Sequence, residues 1–255
     1  MLLIVYIFNF VDRQILAILA GPIQADLALS ATQMGLLGGV AFALLYSTMA
    51  VPLAWLADRT NRSWVITVSL GLWSGFTALC GLATGFWSIF LARLGVGIGE
   101  AGGVAPSYAL ISDFYPSEKR ARALSIYSLG IPIGSALGVM AGGYIAATVD
   151  WRLAFLVVGA SGLLIAPLFK WLVRDPVKET ATDEGVEAPL KFREIVKILS
   201  RKKAFWFLAL GAASSSMLGY GIAFWLPSLL MRSFELDLIE TSRFFGAILL
   251  IGGVV

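Results

Sequence analysis

Apolar residues in this chain come in long unbroken runs, not in the alternation of a half-buried strand. The runs fall at about Met1–Leu19, Gln33–Leu56, Trp64–Thr84, Trp87–Ile111, Ala121–Ala147, Leu153–Val173, Ala204–Met231 and from Thr241 to the end. Crossing a bilayer takes a helix about 20 apolar residues, so the pattern predicts an all-α membrane protein with room for roughly eight spans. A transmembrane β-barrel would show apolar residues at every second position instead. The first run begins at Met1 with no basic residues before it and no small-residue cleavage pattern after it, so it reads as a helix and not a signal peptide. The last run reaches Val255 with no polar residue to end it, and the chain is therefore expected to be a fragment of a longer protein.

Composition agrees with lipid as the solvent. Residues are 58% hydrophobic and only 14% charged, and mean hydropathy is +0.85, whereas a soluble domain needs about a quarter charged residues. The net charge of +3 does not point to nucleic acid, because the basic residues gather in particular loops and not in an aromatic-interleaved patch. Cys80 is the single cysteine and lies in an apolar run, so no intrachain disulfide can form, and there is no histidine. His-based triads, the HExxH zinc site and histidine proton relays are excluded together. No metal or other cofactor is expected.

The loops assign the sides. Arg59 and Arg62 follow the second run, Lys119, Arg120 and Arg122 precede the fifth, and a basic-rich segment follows the sixth. The positive-inside rule makes these loops cytoplasmic, and the N-terminus with them. Loops around Ala25–Ser30, Gly85 and Thr148–Asp150 carry almost no positive charge. The expected division is 1–173, a six-helix bundle; 174–203, a cytoplasmic linker; and 204–255, the start of a second bundle. The linker holds Asp175, Pro176 and an acidic pair at Asp183 and Glu184. A surface-lying amphipathic helix is expected at about Leu190–Leu199, with Leu190, Ile195, Ile198 and Leu199 on its apolar side.

Glycine recurs every four residues in the fifth run, at Gly130, Gly134, Gly138 and Gly142, and in the fourth at Gly95, Gly99 and Gly103. Such stripes bring helix backbones close, and the same stripes would suit helices that rock during transport. Gly97 to Gly102 formally matches GxGxxG, but the dinucleotide motif needs a strand before it, and this copy lies inside a span.

Four ionisable residues stand inside the runs: Asp12 and Arg13 in the first, Arg93 and Glu100 in the fourth. A charge there is costly unless paired or facing a wet cavity. A separation of seven residues, two turns, puts Arg93 and Glu100 on one face, while Asp12 and Arg13 point about 100° apart and should meet different partners. One reading is a structural lock between helices. The other makes Asp12 and Glu100 proton-coupling carboxylates, their affinity for protons set by burial and nearby arginine, with Arg13 and Arg93 holding an anionic substrate group bidentately.

Leu56-Ala57-Asp58-Arg59-Thr60-Asn61-Arg62 resembles the signature loop after helix two of the major facilitator superfamily, with Asp58, Arg59 and Arg62 at its charged positions. Ala54 and Asn61 stand where many members have glycine. Arg93 with its glycine run and the Gly- and Pro-rich fifth run resemble further motifs of the same superfamily, and the likeness covers essentially the whole chain. Asn9-Phe10-Val11-Asp12-Arg13 and Gly99-Glu100-Ala101 resemble the spinster branch, whose members carry lysolipids or sphingosine 1-phosphate and in some cases are proton-coupled. The resemblance implies twelve helices in two halves, of which about two thirds is present here, with alternating access around a central cavity. It places Asp12, Arg13, Arg93 and Glu100 at that cavity and Asp58, Arg59 and Arg62 at the cytoplasmic gate.

Tyr220 and Trp225 in the seventh run are candidates for the substrate cavity, as are Ser214, Ser215 and Ser216, though packing more often accounts for such residues. The function expected is a monomeric, proton-coupled secondary transporter of a small amphipathic or anionic substrate such as a lysolipid, with membrane lipids around it. Carriers of drugs, sugars or organic acids share the fold. A membrane enzyme would need an activated nucleophile, and the serines here have no histidine and no obvious lysine within a span to activate them. A non-transporting receptor would have little use for charges inside the membrane.

Overall fold

The computed structural model of the protein describes residues 1–175 and 192–254. Every regular element among them is a helix: α1 (Leu2–Ile18), α2 (Ala20–Asp26), α3 (Ala31–Gly38), α4 (Val40–Arg59), α5 (Arg62–Gly81), α6 (Phe86–Ala101), α7 (Val104–Phe114), α8 (Ser117–Ser128), α9 (Gly130–Thr148), α10 (Trp151–Leu172), α11 (Phe192–Arg201), α12 (Lys203–Ser233) and α13 (Leu238–Val254). Six helical stretches are long and apolar enough to cross a membrane, and a seventh appears if α1 and α2, bent by 54° at Leu19, count as one span. The eighth apolar run forms α13, a helix of 17 residues.

Several runs that read as single helices are interrupted. The second breaks at Gly39 between α3 and α4, the fourth at Gly102 and Gly103 between α6 and α7, and the fifth at Leu129, just before Gly130. Glycine lowers the cost of leaving helical geometry, so two of these breaks fall on it. At the start of α3, the Ser30 hydroxyl accepts from the Gln33 backbone N–H and the Gln33 side chain accepts from the Ser30 N–H, which satisfies two otherwise free donors.

The chain separates into two units, one of residues 1–176 with 226–255, the other of 177–225. In the first, α5 packs on α10 and α6, α1 and α13 on α9, and α4 on α6. Lipid gives helices no hydrophobic reason to associate, so close packing must hold them. The glycines supply it. A side chain at Gly138 of α9 would strike the backbone of Val11 in α1, whose oxygen lies 2.7 Å from the place of its Cβ. Gly97 and Gly99 of α6 lie as tightly against the backbones of Phe42 and Trp73. The nucleotide-like glycine motif is thus the middle of a packed helix. Trp73, Leu70, Ile66, Val96 and Phe169 fill the interior between these seams.

In the second unit, α11 is followed directly by α12, and the Trp206 indole N–H donates to the Ser200 carbonyl across the join. A helix is observed at Phe192–Arg201, within the segment where a surface-lying one is expected; Leu190, Asp183 and Glu184 lie outside the described residues.

Gly138→Leu should force α1 and α9 apart and destabilise the fold by about 2 kcal/mol or more, because the opposing atoms are backbone and cannot rotate away. Gly75→Leu, where nothing lies within 4 Å, should leave the thermal midpoint of the purified protein nearly unchanged. Thermal unfolding of both variants in detergent checks the pair.

Candidate functional site

The four charges inside the spans meet between α1 and α6. Arg13 Nε donates to Glu100 Oε2 at 2.7 Å, and Arg93 Nη1 stands 4.0 Å from Asp12 Oδ1. Each helix thus supplies one carboxylate and one guanidinium, and each carboxylate faces the guanidinium of the other helix. Successive positions on α1 diverge by about 100°, so Asp12 and Arg13 reach different partners. Along α6, Arg93 and Glu100 are about 10 Å apart in rise, and the long arginine arms span the offset.

The site is neutral and largely buried, with Arg13 partly exposed, at 12% of its side chain. Asp12 and Glu100 are 1% and 0% exposed and Arg93 is 2% exposed. Thr77 of α5 donates its hydroxyl to Asp12 Oδ2 at 2.6 Å. The Arg13 guanidinium lies over the rings of Phe10, Phe42 and Tyr46 at 4.8–5.3 Å, which stabilises a desolvated cation. Satisfaction is incomplete, since Asp12 Oδ1, Glu100 Oε1 and Arg93 Nε and Nη1 are buried without a hydrogen bond. Such a network holds two helices in register and is costly to leave half-paired.

The signature loop forms a second cluster. Arg62 pairs with Asp58 at 3.4 Å and makes a short bridge to Asp113 at the end of α7, while Arg59 stacks over Trp55 at 4.0 Å. Beside it, Asp175 accepts from the backbone N–H of Ser63 at 3.0 Å and from its hydroxyl, and Lys170 donates to the same hydroxyl at 2.6 Å. A carboxylate at the first turn of α5 is favoured by the free N–H groups there. At the opposite end, Arg152 bridges Asp26 at 2.5 Å and donates to the Ala83 carbonyl at 3.1 Å.

The structure therefore brings Asp12, Arg13, Arg93 and Glu100 into one site and places Asp58, Arg59 and Arg62 in another. Tyr220 and Trp225 belong to the second unit, both exposed on α12. Thr77, Asp113, Asp175, Lys170 and the Asp26–Arg152 pair escaped the sequence reading. Thr77 and Ser63 are ordinary helix residues in sequence, and only Asp113 and Asp175 carried a signal, being acidic residues beside basic loops.

Arg13→Ala should leave Glu100 a buried, unmatched carboxylate and cost about 3–5 kcal/mol, whereas the double variant Arg13→Leu with Glu100→Leu should recover most of that loss. Chemical unfolding in detergent of Arg13→Leu, Glu100→Leu and the double variant measures the coupling.

The model of the Major Facilitator Superfamily matches residues 2–255. An MFS-type efflux pump of Mycolicibacterium smegmatis is 32% identical over 93% of this chain and 55% of its own length. The protein spinster of Drosophila melanogaster is 28% identical over 91% of this chain and 38% of its own length. The chain thus spans about half the length of these relatives, or less. In three dimensions it is similar, at a TM-score of 0.85 and 33% identity, to a crystal structure of a bacterial homolog to the human lysosomal transporter spinster in an inward-facing and unoccupied conformation; the match covers 99% of this chain and 59% of that one. With its motifs, its helical architecture and its spinster-like relatives in agreement, the chain belongs to the major facilitator superfamily.

Proposed function

We propose that this chain is the first part of a proton-coupled secondary transporter that moves a small amphipathic or anionic substrate by alternating access, a lysolipid being the first candidate. In this reading, residues 1–173 form the first half, 174–203 a cytoplasmic linker and 204–255 the start of the second half. The N-terminus and the basic loops face the cytoplasm, and Asp58, Arg59 and Arg62 form the cytoplasmic gate. The observation that carries it is the crossed, largely buried pairing of Asp12, Arg13, Arg93 and Glu100.

The coupling follows from charge balance. With both carboxylates ionised, each guanidinium is matched and an anion gains little by entering. Protonating Glu100 cancels the charge opposite Arg13, and protonating Asp12 does the same for Arg93, so either event leaves a guanidinium ready for a carboxylate or phosphate. Proton and anion then occupy the site together, and loss of either returns it to the locked pair. Tyr220 and Trp225 would meet the apolar part of the substrate from the second half.

The same pairing serves a carrier of another substrate class, such as a drug, sugar or organic acid, and the likeness to an efflux pump favours keeping that reading. Both share the coupling step and differ in the cargo.

Full-length protein in proteoliposomes, with a labelled lysolipid and an imposed proton gradient, tests the proposal. Glu100→Gln and Asp12→Asn should each lower driven transport by about tenfold or more, equivalent to ~1.4 kcal/mol or more, while substrate binding survives. Parent-like driven transport in both variants would show the four charges to be only a structural lock.

A further inference from the structure

Asn9 is a buried polar side chain near the charge site that neither reading uses. It sits one turn before Arg13 on α1, is 2% exposed, and neighbours Glu100, yet neither its Nδ2 nor its Oδ1 has a hydrogen-bond partner of normal geometry. A buried amide left in that state is costly and calls for an explanation. Its other neighbour is a narrow void, with no room for a water molecule as it stands, bounded by Val5, Tyr6, Trp73, Ser107 and Tyr127.

That void leads away from Glu100 toward the end that carries the signature loop. There, a cleft of about 690 Å³ opens among Leu2, Ile111, Phe114, Ile126, Tyr127 and Arg174. Tyr127 lines both the void and the cleft. Its ring stacks on Tyr6 with centroids 4.2 Å apart and planes 8° from parallel, and Tyr108 meets it edge-on at 5.5 Å. The stacked pair thus stands between an open cleft and a closed void that ends at an unsatisfied amide beside a buried carboxylate.

We propose that Glu100 exchanges its proton with the signature-loop side through the interior of the first unit, with Asn9 as the positioning residue and the Tyr6–Tyr127 stack as the door. This rests on the proton-coupled reading and adds a path separate from the substrate route. When the rings part, water enters the void. Asn9 then accepts a hydrogen bond through Oδ1 and donates one through Nδ2, orienting water toward Glu100. A proton arriving from the cleft ends on the Glu100 carboxylate and Asn9 itself is never protonated. The charged and titratable groups facing Glu100 are Arg13 and Asp12 on α1 and Arg93 on α6, with Tyr46 of α4 against Arg13, and the path bypasses all of them.

The test follows protonation of Glu100 directly in full-length protein. A pH jump is monitored by the infrared carboxyl stretch, with the band assigned by its loss in Glu100→Gln. Asn9→Val, which keeps the bulk but not the hydrogen bonds, should slow the rise of that band by about tenfold or more. Tyr127→Ala, which removes half of the door, should speed it, and Tyr127→Phe, which keeps the stacked ring, should stay near the parent. Rates equal in parent, Asn9→Val and Tyr127→Ala overturn the path whether or not transport is proton-driven, and slowing in both variants, the mark of general damage, overturns it as well. Opposite shifts in a protein whose transport ignores the proton gradient would keep the path and overturn the coupling.

Discussion

A charge in the middle of a helix bundle must find its opposite within a few ångströms or give up its ionisation, because neither lipid nor packed side chains can solvate it. Asp12, Arg13, Arg93 and Glu100 meet that constraint by crossing: α1 and α6 exchange a carboxylate for a guanidinium in both directions. A single bridge would fix one point of contact. Two bridges from neighbouring residues of α1 to residues two turns apart on α6 fix rotation and register as well. A slip of α1 by one residue would turn its side chains by about 100° and break both bridges at once. The rest of the first unit has to hold the two helices close enough for this geometry to exist.

Glycine does so. Arginine arms reach far, but the short Asp12 side chain does not, and its contacts with Thr77 at 2.6 Å and with Arg93 at 4.0 Å need α1 held facing α5 and α6. Gly138 lies against Val11, the residue before Asp12, and Gly99, the residue before Glu100, lies against the Trp73 backbone. The stripes therefore press on the segments that carry the charges. Packing and charge, weighed against each other in the sequence, meet in the same segments: the residues beside Asp12 and Glu100 are the ones that the glycine seams hold.

Legibility in the sequence followed the range of the interaction. The all-helical character of the runs, the orientation of Asp12 relative to Arg13 and the shared face of Arg93 and Glu100 depend on hydropathy and helical period alone, and the structure reproduces them, although six or seven spans stand where about eight are expected. Breaks within runs were harder to see, since Gly39 and Leu129 are ordinary residues in an apolar run and their effect depends on what packs beside them. Partners from distant elements were invisible. Asp113 and Arg62 are 51 positions apart, and Asp175 reaches Ser63 across 112; no local pattern links them. In the sequence Asn9 is no more than a member of a motif, because an unsatisfied amide beside a void can be recognised only once the void exists.

The placement of α9 connects the charge site to the part of the chain that follows. One face of α9, at Gly130, Gly134, Gly138 and Gly142, lies on α1, while Pro132, Met140 and Gly143 meet α13, where Gly253, Gly246 and Ser242 come close. A helix gripped on both sides by small residues cannot bend toward one neighbour without moving against the other, since packed interfaces resist gradual deformation. Under the proposed division α13 belongs to the second half. Breaking the crossed bridges on protonation would remove the restraint on α1, and α9 is the element through which α13 would feel it. The glycines that make α9 smooth would then serve a second purpose, allowing it to slide between α1 and α13 where larger side chains would interlock.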